Sequence, residues 1–228
     1  MVSVILPSIR PRNLKFCVER FIKTQKDIDY ELIIIVDFCV IPIDPRILNK
    51  ARKIVWIYMK EREGCVQAIQ RGFEVSTGEY IFILNDMAEV TPDGLRTMLN
   101  FSKMYGDKIV VNQHTVPTTK LEYYGKVFAP YPFVHRDIVK KLGGFFLPIY
   151  KSFYADPDFS MRAREAKVPI LKCPDVTVYR HSPQRFLGLR LTYEGHIDNV
   201  NKYCEQDKQM FIKQWAHLGI PHKEPDEN

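Results

Sequence analysis

Four short apolar runs, at 2–6, 31–36, 54–59 and 80–84, set the limits on how this chain can fold. They are rich in β-branched and aromatic residues and, Ser3 and Glu31 apart, carry no polar residue. That is the pattern of a strand buried on both faces. Between them lie stretches with apolar residues at helical spacing. Leu14, Cys17, Val18, Phe21 and Ile22 follow Asn13, a residue able to cap a helix, and Val66, Ile69 and Phe73 recur within 64–75. Another helix is expected from Pro92 to about 105, and a further strand over 108–112. Strand and helix in alternation predict an α/β domain, Rossmann-like, with a mixed, mostly parallel central sheet and helices on both faces.

Such a sheet places its chemistry beyond the carboxyl ends of its strands. Ser8 follows the first run, Asp37 the second and Asp86 the fourth. One polar residue after a strand is ordinarily a turn former. Three on one edge of one sheet predict a site.

The second half is less regular. Residues 115–132 are rich in Tyr, Pro and Lys, and 134–142 reads as a helix ending at Gly143-Gly144. Asp156-Pro157-Asp158 stands before an expected helix at 159–166. Two strand-like pieces follow at 169–173 and 176–179, then a polar stretch, 193–217, with helical spacing at Val200, Tyr203, Cys204, Phe211 and Trp215. The reading is one domain over 1–183 with a helical extension over 184–228 packed on it.

Composition narrows the partners. A net charge of +6 and a pI near 9.0 favour anionic ligands such as nucleotides, nucleic acid or anionic head groups, without choosing among them. Five widely spaced cysteines with no CxxC point to a reduced, cytoplasmic protein, with peripheral membrane attachment left open. No apolar run reaches membrane-spanning length, and 32–43, the longest, is broken by Asp37 and Pro42. The segment "PSIRPRN" holds no glycine, which argues against a nucleotidyltransferase-type phosphate loop.

Four segments in order carry a resemblance: "VSVILPSIRP", "LIIIVDF", "GCVQAIQRGFEVSTGEYIFILNDM" and "GGFFLPIYKSFYADPDFSMRAREAKVPILKCPDVTVYRH". Over 2–183 the chain resembles family 2 glycosyltransferases of the GT-A fold. The resemblance implies an inverting enzyme that moves a sugar from a nucleoside-diphosphate sugar to an acceptor hydroxyl. It implies a nucleotide-sugar site built from Pro7, Ser8, Arg10, Asp37, Gly64, Asn85 and Asp86. It also implies Mn²⁺ or Mg²⁺ held by Asp86 and His181, with Glu89 as a further candidate. Met87 stands where the family usually has a second acid, and a thioether is a poor ligand for a hard cation, so metal binding is expected to be weak. Asp156 is carried over as the general base and Asp158 is expected to cap or start the following helix. Acceptors in view are a glycan, a lipid-linked sugar or a modified nucleic acid, and Tyr123, Tyr124, Phe128 and Tyr131 could stack on one. Met87 and Ala155 motivate an alternative: a metal-poor, non-catalytic protein of the same fold that binds a nucleotide sugar or nucleic acid.

Overall fold

The structure is a computed structural model, and it describes residues 1–37, 53–116, 122–123, 126–181 and 203–219. Its strands are β1 (Val2–Ser8), β2 (Tyr30–Val36), β3 (Ile54–Tyr58), β4 (Tyr80–Ile83), β5 (Ala88–Val90), β6 (Val110–Val116), β7 (Glu122–Tyr123), β8 (Lys126–Val127), β9 (Phe133–His135) and β10 (Ile170–Arg180). Its helices are α1 (Pro11–Thr24), α2 (Cys65–Val75), α3 (Gly94–Met104), α4 (Arg136–Lys141), α5 (Ala155–Glu165) and α6 (Glu205–Trp215). Eight strands form one mixed sheet in the order β3-β2-β1-β4-β9-β6-β10-β5, while β7 and β8 make a small ribbon. β1 pairs in parallel with β2 and β4, and β2 with β3.

Successive side chains of a strand point to opposite faces, so a run without polar alternation feeds two cores at once. Ile5, Ile33, Ile35, Ile81 and Ile83 pack on one side with Val66 and Ile69 of α2, Phe159 of α5, and Phe211 and Trp215 of α6. Val4, Leu6, Leu32, Ile34 and Phe82 pack on the other with Leu14, Val18 and Phe21 of α1 and Leu95 and Met98 of α3. Gly72 lets α2 lie close to the sheet, because a Cβ there would sit 2.6 Å from Ile5 Cγ2.

The structure departs from the sequence reading in four places, three of them in the second half. Residues 134–142 are not one helix: Phe133–His135 run antiparallel between β4 and β6 before α4 begins. The two expected pieces over 169–179 are one strand, β10, whose register on β6 shifts between Cys173 and Thr177. That bulge absorbs Pro174, which has no N–H for a ladder. Helix α5 starts at Ala155 rather than at 159, with Pro157 inside its first turn, where a missing N–H costs nothing. Helix α1 starts at Pro11, so Asn13 lies within it and Arg10 takes the capping position. Within the expected extension, α6 packs Phe211 and Trp215 into the core. The 183/184 boundary and Tyr124 lie outside the described residues. No described helix is long and apolar enough to cross a membrane.

Candidate active site

From β1 the chain steps through α1 to β2 and then β3, while β4 returns to the opposite side of β1. The switch point of the sheet therefore lies between β1 and β4, where a crevice opens beyond the strand ends. Register fixes what stands there. Ile5 pairs with Ile83 and Ser8 with Val36, so continuing the β1–β4 register three residues brings Ser8 level with Asp86. Ser8 Oγ indeed donates to Asp86 Oδ2 at 2.5 Å. Asp37 sits one residue past β2, its amide donating to the Ser8 carbonyl at 3.0 Å. Ser8, Asp37 and Asp86 thus share one sheet edge, with Pro7 buried one residue earlier.

Asp86 is fully buried, and its carboxylate is gripped by Arg10. Arg10 Nη2 donates to Oδ1 at 2.6 Å and Nε to Oδ2 at 3.1 Å, a two-pronged pairing of the kind that combines charge with fixed geometry. Arg10 Nη1 reaches Met87 Sδ at 3.2 Å. Asn85 is held on both sides: its Nδ2 donates to the Tyr131 hydroxyl at 3.0 Å, and its Oδ1 accepts from the Met87 amide at 3.0 Å.

Asp37 accepts the amides of Glu63 and Gly64, each at 3.1 Å, which pins the turn before α2. Burial pushes its carboxyl up, and those two amides work against the push. Gly64 has φ +97°, and a Cβ on it would meet the Lys151 carbonyl oxygen at 2.7 Å. Only glycine allows both that conformation and that approach.

The Lys151 segment leads to the second carboxylate. Tyr154 adopts the left-handed region (φ 59°), and α5 starts immediately after it, carrying Asp156 in its first turn. Burial pushes the Asp156 carboxyl up to about 6; its own backbone amide and Arg180 pull the other way. One cysteine shows how these groups converge. Burial drives the Cys65 thiol up to about 12, and it further feels the charges of Asp86, Asp37, Arg10 and Asp156. The charges of the strand-end acids and of the helix-borne acid are thus felt at one thiol.

Asp158 is not a helix cap. Its Oδ1 accepts from Tyr150 Oη, Gln214 Nε2 and Trp215 Nε1, and its Oδ2 from Arg162 Nε at 2.8 Å. It ties α5 to α6. Asp207 of α6, fully buried, accepts the amides of Lys151, Ser152 and Phe153. The loop in front of Asp156 is therefore held from the last described helix.

The expected metal ligands do not form one donor set. His181 Nε2 lies 3.1 Å from Glu89 Oε2, and Glu89 Oε1 pairs with Arg20 at 2.5 Å. Both oxygens of Asp86 are engaged by Ser8 and Arg10. Among the described residues no group of three or more His, Cys, Asp or Glu could hold a metal ion. The side chains as arranged do not fit a hard divalent cation.

Two participants were missed by the sequence reading. Arg180 ends β10 opposite Ala88, beside the Asn85–Met87 turn, and its charge reaches Asp156 and Tyr131. Asp207 lies far along the chain. For Arg180 a signal existed, since it is the strand-end residue directly before His181. For Asp207 there was none.

Comparison with known proteins agrees with this architecture. A family model described as "Glycosyl transferase family 2" matches residues 3–167. No curated protein matches the sequence. Among solved structures, S. aureus TarS superposes with TM-score 0.63 at 13% identity, over 94% of this chain and 43% of that one. TarS 1–349 gives 0.64 at 15%, over 92% and 69%, and TarS 1–349 in complex with UDP gives 0.64 at 14%, over 93% and 70%. This chain therefore spans less than half of the longer TarS structure. At such identities the likeness is one of fold, and the fold is GT-A-like.

Proposed function

The chain belongs to glycosyl transferase family 2, and from that premise we propose that it moves a sugar from a nucleoside-diphosphate sugar to an acceptor hydroxyl with inversion at the anomeric carbon. The donor lies in the crevice between β1 and β4. Each oxygen of Asp37 has a lone pair beyond the one used by a backbone amide, so it can accept from a base or ribose donor. Asn85 is placed for a ribose hydroxyl, and Ser8 and Pro7 line the wall through their backbone. Gly64 lets the Lys151 loop close in along the same edge.

Asp156 is the general base. The acceptor oxygen attacks the anomeric carbon from the face opposite the diphosphate, Asp156 takes its proton, and the breaking C–O bond leaves its electron pair on the diphosphate. The observation that carries this is the position of Asp156 beside the strand-end acids, with a carboxyl held at about 6. A base titrating just below neutral is ionised at pH 7 yet basic enough to be useful. The aromatic side chains of Phe128 and Tyr131 are buried in the core, which removes them as an exposed stacking platform for the acceptor. A glycan is the acceptor we favour, ahead of a lipid-linked sugar or a modified nucleic acid.

The test is direct. A panel of nucleotide sugars is screened by thermal shift, and transfer is then followed with the donor that binds. Asp156→Asn keeps shape and removes the proton acceptor. It is expected to retain donor affinity while kcat falls by about 10²–10⁴-fold. Near-normal transfer by that variant would overturn the assignment. Donor binding with no transfer or donor hydrolysis by the unaltered chain would favour a non-catalytic binding protein.

A further inference from the structure

A departing nucleoside diphosphate gathers negative charge, and something cationic must meet it. The family resemblance supplies a divalent ion for this, but the described residues offer no donor set for one. Asp86 spends both oxygens on Arg10 and Ser8, Met87 stands at the next position, and His181 is paired with Glu89. Two guanidinium groups flank the same turn. Arg10 arrives from the β1–α1 junction and is 17% exposed in its side chain. It has five N–H donors, and three of its nitrogens each make one contact, to Asp86 or Met87. Arg180 arrives from the opposite side, where the His181 amide donates to the Met87 carbonyl at 2.8 Å. The Arg180 side chain is partly buried and makes no hydrogen bond or ion pair among the described residues, its backbone pairing with Ala88. Asp156 and Tyr131 feel its charge without hydrogen-bonding to it, so its N–H donors stay open to a ligand anion.

We infer that Arg10 and Arg180, rather than a divalent cation, hold the donor's diphosphate and offset the charge that develops on it. The inference rests on the nucleotide-sugar reading above. Asp86 neutralises Arg10 overall but locks its fork, so Arg10 contributes aimed N–H donors. Arg180 contributes net positive charge. When the anomeric C–O bond breaks, the electron pair settles on the diphosphate oxygen between them, and no other reactant is required. Asp86, a metal ligand by resemblance, becomes the residue that positions an arginine.

Calorimetry separates the possibilities. UDP, GDP and ADP are titrated into the full chain, once with a chelator and once with Mn²⁺. The nucleotide that binds is expected to do so with equal affinity, within about twofold, in both buffers. Arg180→Gln is expected to weaken that diphosphate by about 10–100-fold, the size of one to two charge-assisted hydrogen bonds. The matching monophosphate should lose less, and Arg180→Lys should restore part of the loss. Thermal unfolding of both variants confirms that they fold. Binding that requires Mn²⁺ and vanishes in chelator would overturn the inference while leaving the transferase reading intact. An Arg180→Gln variant with unchanged diphosphate affinity would also overturn it. If no nucleoside diphosphate binds in either buffer, the nucleotide-sugar reading itself falls.

Discussion

Asp156 and Asp158 are two residues apart and face opposite demands. Asp156 is raised to about 6 by burial, so the folded state binds its proton more tightly than the unfolded chain does. Its contribution to stability is therefore present at acid pH and is lost as pH rises through about 6. Asp156→Asn is expected to raise the melting temperature at pH 7 and to leave it nearly unchanged at pH 3, as calorimetric scans at the two values would show. The rate should move the other way: kcat/KM is expected to climb through an apparent pKa near 6 and then level. Asp158→Asn should do the reverse to stability. It strips the charge from a buried ion pair with Arg162, and the cost is about 3 kcal/mol, readable as a lower denaturation midpoint. Sequence singles out the first of these acids by resemblance and does not show what the second bonds. Asp156 belongs to a local pattern, whereas Asp158 takes its meaning from Tyr150, Gln214 and Trp215, and side chains 56 and 57 residues away leave no mark on local spacing.

Helix α6 acts at one remove from the chemistry. Asp207 gathers the amides of Lys151, Ser152 and Phe153, three donors that would otherwise face an apolar surround. Asp207→Ala leaves them unmet, and a loss of about 2–4 kcal/mol is expected. Because the same loop feeds Asp156, kcat should fall more than donor affinity does, a split that steady-state kinetics beside donor calorimetry would reveal. Equal losses in both would mean that the loop serves the donor side. At the level of elements, legibility follows burial pattern. β1, β2 and β4 announce themselves because a strand covered on both faces is apolar nearly throughout, while β3, at the sheet edge and half-buried, is legible from its β-branched and aromatic run. β9 is three residues long and takes its identity from filling the space between β4 and β6. The bulge in β10 is likewise a property of its partner's register rather than of its own sequence.

Across the whole molecule, chemistry and anchorage sit at opposite ends of the sheet. Ser8, Asp37 and Asp86 occupy the edge where the parallel strands finish. Near where they begin, fully buried Glu31 accepts from Ser3 and Thr77 and pairs with Lys53 at 2.7 Å. Burial alone would raise Glu31, but Lys53, Ser3 and Thr77 together hold its carboxyl down at about 2. Its stabilisation is thus present above the ordinary carboxylate value and fades as pH falls towards 2. Glu31→Gln is expected to cost about 1–3 kcal/mol at pH 7 and progressively less below pH 4, while leaving donor binding untouched. A difference in unfolding free energy that stays constant with pH would contradict this. The clasp made by α6 has a further consequence, in time rather than in space. On a growing chain all ten described strands are synthesised before Asp207. The sheet can close, with its strand-end acids in register, while residues 151–153 still lack their acceptor. A nascent chain would then close its sheet before that loop is clasped, and the clasp would arrive with the first turn of α6.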